Sequence, residues 1–260
     1  MTSYGQTELI HTIRRCGLTS GLQLCLDAGD ALSYSSGQSW LDRSGNGYDF
    51  FRGATGSAAG DDPTFNGTAG NRSPSEYWSF DGGDFFTYDS ANETWMDSLH
   101  KAGAKFTIMG WVYVPGSITQ SSYFWNTSGG AVTGSFIEVT QISNQLKLTV
   151  RNAGVGVLSI QMSTAVPTNQ WAFIAISLTE ATGANGAIFQ MNGTQELFTS
   201  TYVSPATTAA TATAQLGVLT TLPSLPSASR LGMFAAWEGV ALTQTQLNAL
   251  YQATRGRFGV

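Results

Sequence analysis

Charge is scarce in this chain. Lys, Arg, Asp and Glu make up 11% of its 260 residues, against about a quarter in ordinary globular domains. A hydrophobic share of 42% and an aromatic share of 12% still provide for a buried core, so solubility falls to Ser, Thr, Asn, Gln and Gly. The formal net charge is −5 and the sequence pI about 4.9. With Lys and Arg scattered, no basic stripe exists of the kind that nucleic acid or an anionic membrane requires, and neither partner is expected. No apolar run approaches the roughly 18 residues of a membrane span, so no membrane insertion is expected. Met1 is followed by Thr-Ser-Tyr-Gly-Gln rather than a basic and then apolar run, and the expectation is a soluble chain made without a secretory signal.

Cysteine and histidine are nearly absent. Cys16 and Cys25 are too few for a disulfide framework and lack metal-ligand spacing; Cys25, inside Leu22-Gln23-Leu24-Cys25-Leu26, reads as a small buried thiol. His11 lies in the N-terminal arm and His100 in a loop before Lys101, outside the predicted strands, which leaves Ser-His-Asp or metal-histidine chemistry without a scaffold. The N-x-S/T triplets at Asn66, Asn71, Asn92, Asn126 and Asn192 reflect an Asn- and Thr-rich composition.

Short β-branched and aromatic runs punctuated by Gly, Asn, Ser and Pro recur along most of the sequence. The spacing predicts strands over Phe106–Val114, Ser135–Thr140, Gln145–Arg151, Val155–Met162, Trp171–Leu178, Ala187–Met191 and Leu231–Trp237. Alternation such as Leu146, Leu148 and Val150 opposite Lys147 and Thr149 turns one face inward and one outward. Ser143-Asn144 and Asn192-Gly193 carry hairpin chemistry, so the pairing is antiparallel. Helical signal is confined to Leu242–Tyr251, with Thr243 as candidate N-cap and Leu247, Leu250 and Tyr251 on one face. Gly53–Asn71 and Ser204–Pro226 read as long loops decorating one domain. The fold class expected is all-β: a two-sheet antiparallel sandwich with a short C-terminal helix over residues 18–260, preceded by an N-terminal arm over residues 1–17.

Four ordered segments then bring a family into view. Gly21–Asp30 (GLQLCLDAGD) with Trp40–Gly47 (WLDRSGNG), Tyr77–Phe86 (YWSFDGGDFF), Phe106–Val114 (FTIMGWVYV), and Trp171 followed by Gln190–Gly193 and Leu242–Tyr251 resemble the laminin-G-like branch of the concanavalin A-like jelly rolls. The opening motifs and the closing Arg255–Gly259 (RGRFG) resemble versions found in bacteriophage structural proteins. The resemblance covers about Gly21 to Val260 and implies a jelly-roll sandwich. It also implies a non-enzymatic virion protein, either a capsid decoration, a head fibre or a tail-associated piece, displaying a lectin-like jelly roll for adhesion to surface glycans. Its partners would be other virion proteins or itself, and its location the virion surface after synthesis in the host cytoplasm. A soluble carbohydrate-binding module and a glycan-active hydrolase are the alternatives, since this fold hosts many functions.

Candidate site residues follow. Asp27, Asp42 and Asp81 sit beside turns, where a carboxylate caps backbone N–H groups; calcium ligation is the alternative, and no other cofactor is expected. Trp40, Trp78, Trp111, Trp171 and Trp237 are expected in the core. Tyr123, Trp125 and Asn126 are candidate carbohydrate-binding residues, with Trp125 either an exposed stacking platform or packed in the core or at an edge. In the arm, Leu9, Ile10 and Ile13 form an apolar stripe beside Arg14 and Arg15, expected to anchor the chain to an assembly, with packing on its own domain as the alternative. Glycosidases on this fold resemble one another in a strand bearing E-x-D-x-x-E; Glu138 is a lone acid with no carboxylate at i+2 or i+4, so no hydrolysis is expected.

Overall fold

A computed structural model of the chain describes residues 8–68, 73, 75–116, 118, 120–129, 132–219 and 225–260. Residues 1–7 of the arm, Asn71 and residues 220–224 of the second long loop lie outside the described residues. In chain order come helix α1 (Leu9–Arg15) and strands β1 (Leu22–Asp27), β2 (Ser39–Trp40), β3 (Phe50–Arg52), β4 (Thr64–Asn66), β5 (Tyr77–Ser79) and β6 (Phe86–Tyr88). Next are β7 (Lys105–Val114), β8 (Ser122–Asn126), β9 (Gly134–Val139), β10 (Gln145–Asn152), β11 (Val155–Ala165) and β12 (Gln170–Thr179). Then follow β13 (Ala187–Met191), β14 (Thr194–Phe198), β15 (Gln215–Leu216), β16 (Arg230–Glu238) and helix α2 (Gln244–Phe258).

The strands form two antiparallel sheets. The first runs β14-β13-β12-β7-β16-β5-β4, with β1 also paired to β16; the second runs β11-β10-β9-β8-β15-β6-β3-β2. Between them lies one core in which Phe106, Ile108 and Val112 of β7 face Trp125, Ile137 and Leu148 of the second sheet. Hairpins form where the sequence places them, with Asn144 and Asn192 in left-handed conformation at φ 52° and 51°, a geometry Asn tolerates better than most side chains.

A second apolar layer sits on the outside of the first sheet, where Met109, Trp111, Phe173, Met233 and Trp237 meet α1 and α2. Strand β7 is therefore buried on both faces, which is why FTIMGWVYV reads as a near-continuous apolar run instead of an alternating one. Trp111 stacks on Phe258 with ring centroids 4.4 Å apart, and its Nε1–H donates to Thr254 Oγ1 at 2.8 Å. Gly232 permits this approach: a Cβ there would lie 2.6 Å from the Phe258 ring. Helix α2 begins at the expected Thr243 with a complete capping box, the Thr243 hydroxyl accepting from the Gln246 N–H and the Gln246 side chain from the Thr243 N–H, and Leu247, Leu250 and Tyr251 are buried as expected.

The arm departs from expectation. Leu9, Ile10 and Ile13 are 0%, 2% and 0% exposed, packed in this outer layer of their own domain. The reason is geometric. Asp27, at the end of β1, accepts the N–H of Leu9 at 2.8 Å, holding the first turn of α1, and takes a bidentate pair from Arg257 at 2.7 and 2.9 Å in the last turns of α2. The apolar stripe that was to anchor the chain to an assembly is thus consumed within the fold, and of the five candidate anchor residues Arg14 and Arg15 stay exposed.

Candidate functional site

The two helices pack on the outer face of the first sheet; on the outer face of the second, Phe136, Asn126, Thr149 and Glu138 are buried as well, among part-exposed neighbours such as Tyr123, Lys147 and Arg151. Residues paired across antiparallel strands share a face. One outward row runs Ser159, Thr149, Phe136, Asn126, Gln215, Thr87 and Phe51 through β11, β10, β9, β8, β15, β6 and β3. Beside it runs Gln161, Lys147, Glu138 and Tyr123. Nearly every inward neighbour is aliphatic or aromatic, so this face is polar by the sequence's own alternation.

Several of its polar atoms are unpaired, as are others elsewhere among the described residues, such as Nε1 of Trp40 and Trp78 and Oγ of Ser229. Thr149 is 5% exposed and Asn126 0% exposed, yet Thr149 Oγ1 and Asn126 Nδ2 have no hydrogen-bond partner. Gln215 Oε1 and Arg151 Nε are also buried and unpartnered. A buried polar atom left in that state costs about 1–3 kcal/mol. Asn126 and Gln215 are directly opposed across the β8–β15 pair, yet their free donor and acceptor do not meet. The Asn126 Oδ1 instead accepts the Ser128 and Gly129 N–H groups at 2.8 and 3.1 Å, which fixes its amide. Gln215 turns its Nε2 toward Thr87 Oγ1 at 3.5 Å.

Aromatic rings frame these atoms. Tyr123 meets Phe136 edge-on at 5.8 Å, and the Arg151 guanidinium lies 5.5 Å from the Phe136 centroid. Lys147 and Glu138 form an ion pair at 3.4 Å. Burial, with the Glu138 carboxylate adding to it, pushes the Tyr123 phenol above its ordinary pKa, so it stays a neutral hydroxyl near pH 7. Amide, hydroxyl and guanidinium groups next to rings can hydrogen-bond a polyhydroxylated ligand and pack against its apolar face.

Of the three expected carbohydrate-binding residues, the structure brings two to this face and removes the third. Trp125 is fully buried, 5.9 Å from Phe234 and 5.6 Å from Trp95, and is no stacking platform. A register shift between Tyr123 and Trp125 explains it: both Phe124 and Trp125 point inward while Tyr123 and Asn126 point outward. Phe136, Thr149, Arg151 and Gln215 were not singled out from the sequence. The outward phase of β10 could have given Thr149 and Arg151; Gln215 needed the long-range pairing of a two-residue strand.

The aspartates do not meet one another. Both oxygens of Asp27 are taken by Arg257 and by the Leu9 and Gly29 N–H groups, which leaves no place for calcium. Asp42 accepts N–H groups of Cys25 at 2.9 Å, Ser44 at 2.8 Å and Gly47 at 3.2 Å, and tightens the Ser44–Gly47 loop against β1. Asp81 accepts from Gly83 at 2.8 Å within its own turn. Among the described residues no three His, Cys, Asp or Glu side chains group as a metal site would need. His11 pairs with Glu8, and the His100 Nε2 lies 2.9 Å from the Thr208 carbonyl.

Other concavities argue less strongly for a ligand. A void of about 10 Å³ between the sheets, beside Phe124 and Trp125, has room for about one water. A polar cleft of about 410 Å³ is lined by Gly193, Gln195, Gln244, Thr245 and Asn248, but the Gln195 amide is engaged by Gln190 Oε1 and the Gln244 carbonyl.

No family model and no curated protein matches the sequence. Solved structures do match. The binding domain of botulinum neurotoxin DC, in complex with SialylT, superposes with a TM-score of 0.61 at 14% identity, over 91% of this chain and 52% of that one. Domain 4 of an extracellular family 43 arabinanase from Geobacillus stearothermophilus, in complex with arabinotriose, gives 0.59 at 17% identity, over 90% of this chain and 99% of that one. A Trypanosoma rangeli sialidase in complex with sialic acid gives 0.56 at 11% identity, over 92% of this chain and 34% of that one. The chain thus spans about half the length of the toxin chain and a third of the sialidase. At such identities the likeness is one of fold: a two-sheet antiparallel jelly-roll sandwich with a C-terminal helix.

Proposed function

We propose that the chain is a non-enzymatic glycan-binding sandwich that holds its ligand on the outer face of the second sheet. The observation that carries this reading is the opposed but unjoined pair of Asn126 Nδ2 and Gln215 Oε1 beside the unpartnered Thr149 Oγ1. A sugar hydroxyl donates and accepts at once, so one such group satisfies a free donor and a free acceptor together. The part-exposed Tyr123 supplies apolar surface for the ring that carries it. The match to an arabinanase domain in complex with arabinotriose, over nearly the whole of that domain, supports the same use of the fold.

A glycan array probed with the wild-type chain and with Gln215→Ala tests it. Binding to at least one glycan is expected, lost in Gln215→Ala and retained in Asn248→Ala in the cleft beside α2. Loss in Asn248→Ala with retention in Gln215→Ala would place the ligand in that cleft and defeat the reading. Glu138 is held by Lys147 on this same face, so a reducing-sugar assay should detect no cleavage; cleavage abolished by Glu138→Gln would make the chain a hydrolase.

The phage-like opening and closing motifs favour a setting for this activity, the surface of a bacteriophage particle, where the sandwich would serve adhesion. Mass spectrometry of purified particles tests that setting independently of glycan binding.

A further inference from the structure

We infer, resting on the glycan-binding reading of the second sheet's outer face, that its ligand is an acidic glycan and that Arg151 reads the carboxylate. Arg151 belongs to the outward phase of β10 with Lys147 and Thr149, opposite the core residues Leu146, Leu148 and Val150. Lys147 is paired with Glu138 at 3.4 Å. Arg151, among the described residues, has no carboxylate partner. Its one hydrogen bond is long, 3.5 Å from Nη1 to the Gly154 carbonyl, and its Nε is buried without a partner. Two cations against one carboxylate leave this patch with a local charge of about +1 on a chain whose formal charge is −5, a reversal of sign that suits an anion.

The geometry narrows the anion further. Engagement of Nη1 with Gly154 leaves the Nε–Nη2 edge of the guanidinium, whose two parallel N–H groups match the two oxygens of a planar carboxylate. Phe136 lies under the guanidinium at 5.5 Å and restrains its plane, which lowers the ordering cost of binding. Thr149 stands two residues away on the same strand face, roughly 7 Å along the strand, with its hydroxyl free. That spacing suits a carboxylate and a ring hydroxyl of one sugar unit. A neutral glycan would use Thr149, Asn126 and Gln215 and leave the guanidinium unanswered.

The test is titration calorimetry of the full chain with polygalacturonate, alginate and polysialic acid, each beside its carboxyl-reduced or methyl-esterified form, with arabinan and dextran sulfate as neutral and sulfated probes. At least one carboxylated polymer should bind. Its affinity should fall about tenfold or more when the carboxyl groups are neutralised, and by a similar factor in Arg151→Gln. Arg151→Lys should recover only part of the loss, because an ammonium keeps the charge without the fork. Both variants should melt within about 2 °C of wild type, as a part-buried side chain with one long hydrogen bond implies. Binding of arabinan alone, or of any polymer with equal affinity in Arg151→Gln, overturns the acidic-ligand inference and leaves the glycan reading standing. Binding of dextran sulfate without any carboxylated polymer overturns the assignment to a carboxylate. Binding of no polymer overturns both.

Discussion

Thr149→Val separates the two roles that a buried hydroxyl can have. Thr149 lies in β10 between β9 and β11, 5% exposed, its Oγ1 without a partner. Valine has the same shape and the same preference for strands, so the change replaces an unsatisfied polar atom by a methyl and little else. Leaving a hydroxyl buried and unbonded costs about 1–3 kcal/mol. The unliganded variant should therefore be as stable as wild type or more so, by up to about 1–2 kcal/mol, which in a domain of this size raises the melting temperature by roughly 2–6 °C. The same variant should bind its glycan about 3–10-fold more weakly, the worth of one neutral hydrogen bond.

Thr107→Val is the matched control. Thr107 is also fully buried in a central strand, but its hydroxyl lies 3.1 Å from the Val240 carbonyl and 3.2 Å from Ser177 Oγ, and accepts the Leu242 N–H at 2.9 Å. That change strands the Leu242 N–H and should cost about 1–3 kcal/mol. Differential scanning calorimetry on the three proteins, with titration calorimetry for the ligand, reads both arms. If Thr149→Val melts more than about 2 °C below wild type, the Thr149 hydroxyl is bonded in solution and the reasoning from unpaired atoms is refuted. Unchanged affinity with raised stability would remove Thr149 from the site.

The remaining expectations concern the frame. Asp42→Ala should lower stability by about 1–3 kcal/mol by freeing the Cys25, Ser44 and Gly47 N–H groups, whereas chelator should leave the wild-type melt unchanged; a chelator-sensitive melt would mean that a metal organises this loop. Burial raises the Asp84 carboxyl from 3.8 to about 7, with the neighbouring Asp81 carboxylate adding to the rise. The native chain therefore keeps a proton that the unfolded chain loses, so this group's contribution falls as pH rises from about 4 to 7 and is level above that. Asp84→Asn should flatten that slope and be the more stable chain at pH 8, and a steeper slope in paired melts at pH 4.5 and 8 would contradict it. Deleting residues 1–16 removes Leu9, Ile10 and Ile13 from the outer layer of the first sheet, each worth about 2–5 kcal/mol as a buried aliphatic; a truncated chain that melts like wild type would return the arm to the role of a detachable anchor.

Strands β7, β9, β10, β11, β12, β13 and β16 were legible because each is long enough for its apolar run or alternation to rise above chance, and α2 because Thr243 and Gln246 spell out a capping box. Strands of two or three residues, such as β2, β3 and β15, carry no readable period; they exist because distant partners complete them. The arm shows a different limit. Leu9, Ile10 and Ile13 declare an amphipathic turn, but a stripe looks the same whether its partner is foreign or its own domain. The deciding signal lay elsewhere, in the missing alternation of Phe106–Val114: a strand apolar on both faces needs a second layer to cover it. The site was half legible. Period two assigned Thr149 to the outside, whereas Trp125 was open between stacking platform and core, and the bulge in β8 that turns it inward has no sequence signature.

The two sheets end up with outer faces of opposite character, and that asymmetry bears on function. On the first sheet, Trp111 and Trp237 both find partners for their indole N–H groups, at Thr254 Oγ1 and the Leu18 carbonyl, 2.8 and 2.7 Å away. These two indoles are closed by a helix and a loop of the same chain. On the second sheet, a donor on Asn126 and an acceptor on Gln215 stand opposite each other and remain apart. Stability alone would favour joining them or replacing both with apolar residues of similar size, either of which removes the burden of an unsatisfied pair. Asn126 is instead held by its other end in the turn after β8, while Gln215 Nε2 makes only a long contact of 3.5 Å with Thr87 Oγ1. The Asn126 donor is thereby fixed in orientation. On the glycan-binding reading proposed above, such groups would lower the ordering cost of binding, and a ligand's hydroxyls would complete bonds that the chain leaves open.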